Sequence, residues 1–223
     1  MSEPLIITID GPAGTGKSTV AAALAGRLGL ARLDTGAMYR TAALIALREH
    51  IDPTNGPAIA EACSKHAIEF DTSVDPPVMR LDGVDVEAQI RSGEVGAVVS
   101  EVSAAPEVRS LMVRMQRAVA QACPRLVSEG RDQGSVVFPD ADVRFYLTAD
   151  VKERIQRRVQ QLERRGQVAD AQAVADEINH RDGIDASRAA APLVEPEGAL
   201  RVDSTGMTID EVVQMMVEMV EAA

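Results

Sequence analysis

The eight residues Gly11, Pro12, Ala13, Gly14, Thr15, Gly16, Lys17 and Ser18 constrain this chain more than any other stretch. They have the form G-x-x-x-x-G-K-[ST], and their flanks suit it. Residues 5–9 are β-branched and almost wholly apolar, the pattern of a strand buried on both faces. Val20, Leu24 and Leu28 share one face of a helix expected over 17–28, with Gly29 placed to cap it. Glycines at such a turn let successive backbone N–H groups wrap phosphate oxygens, and the helix N-terminus adds the positive end of its dipole. Lys17 is then placed to reach the β- and γ-phosphates, and the Ser18 hydroxyl to ligate Mg2+. A chance glycine-rich turn with a Lys-Ser pair is the bland alternative, and it leaves the flanking strand and helix unexplained.

Strand and helix patterns alternate along much of the chain. Short strands are expected over 30–33, 126–128, 143–147 and 200–202, and helices over 35–48, 58–65, 94–103, 106–123, 150–165 and 171–180. Thr35 is placed to cap the first of these helices, Pro106 suits a first turn, and Thr208 with Glu211 forms a capping box before a final helix to about 221. Between 67 and 90 the period shortens to that of small antiparallel strands, with Asp82-Gly83 as a hairpin turn. Alternation of this kind implies a parallel sheet covered by helices on both faces. The fold class is therefore α/β, a P-loop NTPase fold with an insertion containing a small antiparallel sheet.

Composition narrows the partners. The 223 residues carry 34 acidic and 23 basic side chains, a net charge of −11, and only five aromatics: Tyr39, Phe70, Phe138, Phe145 and Tyr146. Such a field repels a polyanion, and so few rings make a poor stacking platform, so no nucleic-acid partner is expected. The apolar run at 5–9 is too short for a membrane span, and the start carries no cationic leader; a soluble, cytoplasmic protein is expected. Cys63 and Cys123 follow no metal or redox spacing and read as reduced thiols. Lys17, Lys65 and Lys152 are the only lysines, so 20 of the 23 cations are arginine, the side chain suited to planar recognition of phosphate. Eight of the cations fall in 152–188, against seven acids.

A phosphate loop alone leaves the job open. A GTPase-type switch needs Asp-x-x-Gly followed by Asn-Lys-x-Asp; Asp203 to Gly206 and Asn179 to Asp182 echo these in reverse order, with His180 replacing the lysine. A motor ATPase needs an apolar strand ending in Asp or Asp-Glu, which Leu126 to Glu129 matches weakly. A small-molecule kinase needs a second, arginine-rich anion site. Arg40 near the second strand, Arg131-Asp132 after another, and Arg181, Asp182, Asp185 and Arg188 at helical spacing supply candidates. Solvated, structural arginine is the competing account of each, and the favoured one for Arg154, Arg158, Arg164 and Arg165. Asp34 reads as structural, with organisation of Mg2+ through water as its alternative, and His50, His66 and His180 as isolated surface residues.

Over essentially its full length the chain resembles the bacterial cytidylate kinases. The segments that carry the likeness are 9–19, 33–40, 129–132 with 136–141, and 181–193. The resemblance implies phosphorylation of CMP, and of dCMP, by ATP with Mg2+ held through Ser18, in pyrimidine nucleotide metabolism. It implies an ATP site of Gly11 through Thr19 with Arg157. It implies a CMP site of Thr35, Tyr39, Arg40, Ser100, Arg109, Arg131, Asp132, Arg181, Asp185 and Arg188. Ser100, Arg109 and Asp132 would read the base, and Tyr39 and Asp185 would lie near the sugar. Arg40 and Arg131 would hold the acceptor phosphate, with Arg181 and Arg188 bridging it to the transferring group; Lys17, Arg131, Arg181 and Arg188 are the expected catalytic set. One kinase domain is implied, a monomer with a core of 1–34, 105–150 and 189–223, a nucleotide-binding subdomain at 35–104 and a helical lid at 151–188. Gln133 departs from the family pattern, which has an apolar residue there.

Overall fold

The computed structural model describes residues 3–71, 77–164, 166, 168–188 and 190–222; Arg165 lies outside them. Strand β1 (Leu5–Asp10) leads through the glycine loop into helix α1 (Lys17–Leu28), followed by β2 (Ala31–Asp34) and α2 (Thr35–Arg48). After α3 (Gly56–Ser64) come the short strands β3 (Ile68–Asp71), β4 (Val78–Leu81) and β5 (Val84–Asp85). Helices α4 (Glu87–Ile90), α5 (Gly93–Ala104) and α6 (Pro106–Ala122) return the chain to β6 (Arg125–Gly130). A single π-turn (Gln133–Val137), β7 (Val143–Thr148), the helices α7 (Val151–Arg164) and α8 (Ala171–Ser187), β8 (Leu200–Asp203) and α9 (Ile209–Glu221) complete it.

The five strands β2-β6-β1-β7-β8 form one parallel sheet, and β3-β4-β5 a separate antiparallel one. Both faces of the parallel sheet are covered, as its unbroken apolar strands require. Ile7, Ile9, Val127 and Phe145 pack against Val20 and Leu24 of α1 and Val213 and Met216 of α9. Leu33 and Leu126 face the other way, onto Met38 and Ile45 of α2 and Met112 of α6. Asp82 and Gly83 both take positive φ, 52° and 79°, the backbone twist that a tight hairpin asks for. Gly11 admits no side chain: a Cβ there would lie 2.1 Å from the Leu147 carbonyl oxygen on β7.

Several elements depart from the sequence expectation. The cap of α2 is Asp34, whose carboxylate accepts from the Ala37 N–H at 2.9 Å; Thr35 instead donates its hydroxyl to the Glu129 carbonyl at 2.7 Å. Helix α3 starts at Gly56 because Asn55 caps it. Helix α8 runs on through Gly183 to Ser187 rather than ending at 180, so Arg181, Asp182 and Asp185 are helical. The π-turn was not foreseen either. It forms because both carboxylate oxygens of the buried Asp10 accept backbone N–H groups, from Gln133 and Gly134, at 2.7 Å each. His66 is not isolated: its ring nitrogens meet Asp82 and Glu49 at 2.7 and 2.8 Å.

Asp34 also pairs with Arg91 at 3.2 Å from a buried position, so one side chain starts α2 and ties the 87–91 segment to it. Asp34→Ala should lower the unfolding free energy by about 1.5–3 kcal/mol, and Asp34→Asn, an equally good cap, should recover about half of that. Urea denaturation measures both; an equal loss in the two variants would place the stabilisation in the Arg91 pair alone.

Candidate active site

The phosphate loop lies at the carboxyl ends of the parallel strands, where open α/β sheets gather ligands. Gly14 and Gly16 take φ of 78° and 92°, curling the loop over the start of α1. Lys17, 5 % exposed, donates its ammonium to the Pro12 carbonyl at 2.7 Å, inside the loop it is to serve. Burial above all, and then the Arg131 guanidinium, bring its pKa down to about 7, with Glu129, Asp185 and Asp10 acting the other way. Ser18 donates to Glu129 Oε1 at 2.6 Å. Thr19 starts the helical ladder, its N–H on the Gly16 carbonyl at 3.0 Å.

Glu129 is a site residue that the sequence reading passed over as a weak match. Parallel register sets it beside Asp34. Burial and the Asp34 carboxylate push its pKa up, while Lys17 and the Ser18 hydroxyl hold it down. The oxygens of Ser18 and Glu129, with Asp34 alongside, are a hard donor set. That suits Mg2+, an ion held chiefly by substrate phosphates with one or two protein oxygens and water.

Facing the loop stands a wall of arginines linked through carboxylates. Arg131 Nε donates to Asp185 Oδ2 at 2.8 Å, and Arg188 Nη1 lies 3.4 Å from Asp185 Oδ1. Arg188 also donates Nε to the Ala191 carbonyl. Arg109 pairs with Asp132, both buried, and its guanidinium lies 5.3 Å above the Tyr39 ring. Ser100 is on α5, whose last turn reaches this group through the Ser103 carbonyl, 3.0 Å from Arg109 Nη1. Arg40 donates weakly to the Ile90 carbonyl at 3.5 Å and Arg181 to Glu177 at 3.3 Å, so neither cation is neutralised well. Burial and the neighbouring Arg181 and Arg91 bring the Arg40 guanidinium down to about 10, and burial followed by Arg131 lowers Arg181. Mutual repulsion among half-buried guanidiniums such as Arg40, Arg131 and Arg181 favours an anion between them.

Most of the expected residues therefore lie near one another, with Ser100 placed only by its helix, and two amendments follow. Arg154 is not a solvated helix-face residue: at 5 % exposure it donates to the Ala13 carbonyl at 3.0 Å and to Asp182 at 2.6 Å. Asp182 in turn accepts the Ala13 N–H at 3.2 Å. Arg157 spans from the Thr15 carbonyl (3.2 Å) to the Ser204 hydroxyl and carbonyl (3.0 and 2.7 Å), so its guanidinium is engaged by the protein. Arg158 is half-buried against Glu177 and Gln161, and Arg164 is exposed.

A glycine loop at a helix N-terminus, facing buried arginines across the ends of the same strands, defines a P-loop phosphotransferase of the small-kinase kind. The comparisons with known proteins go further. A family model described as cytidylate kinase matches residues 7–222. A cytidylate kinase of Nocardia farcinica is 47 % identical over 215 residues, 96 % of this chain and 93 % of that one. Another, of Azotobacter vinelandii, is 43 % identical over 221 residues, 98 % and 96 % of the two chains. An uncharacterized protein of Eubacterium ventriosum has the same fold at a TM-score of 0.54, with 12 % identity over 98 % of this chain and 99 % of that one. The chain belongs to the cytidylate kinase family and is a nucleoside monophosphate kinase by class. Among the described residues no helix is long and apolar enough to cross a membrane.

Lys17 gives the site a pH dependence of definite sign. With its pKa lowered, the free ammonium is largely deprotonated at pH 8, and a bound triphosphate favours the charged form. Binding of a nucleoside triphosphate at pH 8 should therefore take up protons, and the uptake should fade as the pH falls below neutrality. Calorimetry in buffers of different ionisation heat measures it. Lys17→Met should abolish the uptake, and wild-type binding without uptake at pH 8 would remove Lys17 from the phosphate contacts.

Proposed function

We propose that the protein transfers the γ-phosphoryl group of ATP to CMP, and to dCMP, yielding ADP and the nucleoside diphosphate, as a soluble cytoplasmic monomer in pyrimidine nucleotide metabolism. Family membership supports this. The observation that carries it is the run of charged side chains from the buried Lys17 past the half-buried Arg131 and Asp185 to the buried Arg188, Arg109 and Asp132, which leads from the phosphate loop to a carboxylate suited to an exocyclic amine.

Residues 11–19 cradle the donor phosphates, with Arg157 fastening the loop from α7. Asp132, Arg109 and Ser100 receive the cytosine, Tyr39 and Asp185 the sugar, and Thr35 lies at the mouth between β2 and β6. Arg40 and Arg131 hold the acceptor phosphate, and Arg181 and Arg188 lie between it and the γ-phosphoryl group. An oxygen of the CMP phosphate bonds to the γ-phosphorus in line as the bond to the β,γ-bridging oxygen breaks and ADP leaves. Such transfer asks for positioning and charge stabilisation rather than a side-chain nucleophile. Ser18 and Glu129 are the residues that would hold Mg2+, which would supply charge neutralisation to the donor phosphates. Residues 35–104 act as the acceptor subdomain, and 151–188 act as a lid that excludes water, the competing acceptor.

A coupled assay of ADP release over CMP, dCMP, UMP, AMP and GMP tests the proposal: the two cytosine nucleotides should lead. Absence of stimulation by every monophosphate, with tight GTP binding, would replace it by the switch function.

Base choice rests on Asp132. An ionised carboxylate only accepts, so it satisfies the cytosine amine and opposes the uracil carbonyl oxygen. Asp132→Asn should lower kcat/KM for CMP and narrow the CMP/UMP ratio by at least about tenfold. An equal loss with both substrates would instead assign Asp132 to holding Arg109.

A further inference from the structure

Behind the arginine wall lies a set of buried polar groups that phosphoryl transfer does not call on. Gln133 and Gln116 are both fully enclosed, at 0 % exposure. The Ser128 hydroxyl on β6 donates to Gln133 Oε1 at 2.7 Å, and Gln133 Nε2 donates to Gln116 Oε1 at 3.3 Å. The Gln133 main chain is itself fixed by the bond from its N–H to Asp10. Gln116 stands seven residues beyond Arg109 on α6, on the same face of the helix. With its oxygen accepting from Gln133, the Gln116 amide still has its NH2 group to offer. The Gln116 side chain sits against the Tyr39 hydroxyl, where it acts to lower that group's pKa, yet neither the hydroxyl nor the Gln116 NH2 makes a full hydrogen bond. The Tyr39 ring carries the Arg109 guanidinium on its face, and Arg109 holds Asp132.

Hydrocarbon would fill this volume at less desolvation cost than two amides and a phenol, and a partly satisfied buried network is costlier still. The geometry points to a role in placing the ring. We propose that Ser128, Gln133 and Gln116 form a buried relay that sets Tyr39 in the acceptor pocket, which makes Gln133 a positioning residue for the nucleoside monophosphate bound at the site proposed above. Closure of the Tyr39–Gln116 hydrogen bond accompanies acceptor binding. The sheet that carries the phosphate loop is thereby connected to the ring on which the acceptor is seated, without any contact between Gln133 and substrate.

Steady-state kinetics and thermal unfolding of Gln133→Leu, of the double variant Gln133→Leu/Gln116→Leu, and of Tyr39→Phe test this. Gln133→Leu leaves one amide unpaired, so stability should fall and KM for CMP should rise. The double variant removes both amides and leaves only the Ser128 hydroxyl without its acceptor, so stability should recover in part. Its KM for CMP should nonetheless stay raised by about three- to tenfold, with kcat within about twofold, because the ring has lost its support. A double variant in which KM recovers along with stability would reduce the relay to packing and overturn the proposal. Tyr39→Phe should raise KM for CMP comparably. A raised KM in Tyr39→Phe beside a wild-type KM in the double variant would overturn the relay alone, whereas an unchanged KM in Tyr39→Phe would remove Tyr39 from the acceptor site, and the relay with it.

Discussion

Parallel pairing of β2 with β6 sets Asp34 against Glu129, two buried carboxylates on adjacent strands, and β1 ends on a third, Asp10, one strand away. Like charges brought this close in a dry setting are costly unless cations and N–H groups are supplied. The surrounding structure supplies them one by one. Asp34 caps α2 and takes Arg91, Asp10 takes two backbone N–H groups, and Glu129 takes the Ser18 hydroxyl with Lys17 close by. The residual imbalance is visible in Glu129, whose pKa burial and then the facing Asp34 carboxylate raise to about 6. Much of what surrounds the phosphate loop is explicable as compensation for that register.

The arginine bias is part of the same economy. A guanidinium keeps its charge when buried and can serve two partners at once, as Arg131 does with Asp185 and the Gly130 carbonyl. Burial brings Lys17 toward neutrality, so a lysine here can change its charge with its ligand while the arginines around it cannot. In a chain with so few rings, Tyr39 is the one aromatic that meets a guanidinium face-on among the described residues.

Local patterns carried most of the fold. The apolar run of β1, the glycine loop, the Asp82-Gly83 turn and the Thr208–Glu211 capping box each specify a conformation over a few residues, and each is found. What escaped was set at a distance. Thr35 has the chemistry of a cap, yet the neighbouring Asp34 takes that place while Thr35 turns to the Glu129 carbonyl across the sheet. The helix expected to end at 180 runs on to Ser187, where bonds from Arg154 to Asp182 and from Arg131 to Asp185 hold α8 on either side of Gly183. The π-turn depends on Asp10, more than 120 residues away along the chain. Within the site, the motif residues converge, while Glu129 and Arg154 were missed because their meaning lies in register and burial. The strand-end acid at Glu129 was the available signal for the first; nothing in the sequence distinguished Arg154 from the other cations of α7.

Both backbone polar groups of Ala13 in the phosphate loop are held: Asp182 accepts its N–H and Arg154 donates to its carbonyl, and the two side chains are themselves paired. The hairpin of α7 and α8 thus presents to Ala13 an anion of its own. An incoming phosphate that claims this N–H exchanges one negative group for another, and in leaving, the carboxylate loosens its hold on Arg154. Occupancy of the loop and the posture of the hairpin are thereby thermodynamically linked. A substitution that removes only the Asp182 carboxylate takes away a competitor for this N–H, and can favour phosphate there by at most the free energy of the contact it removes.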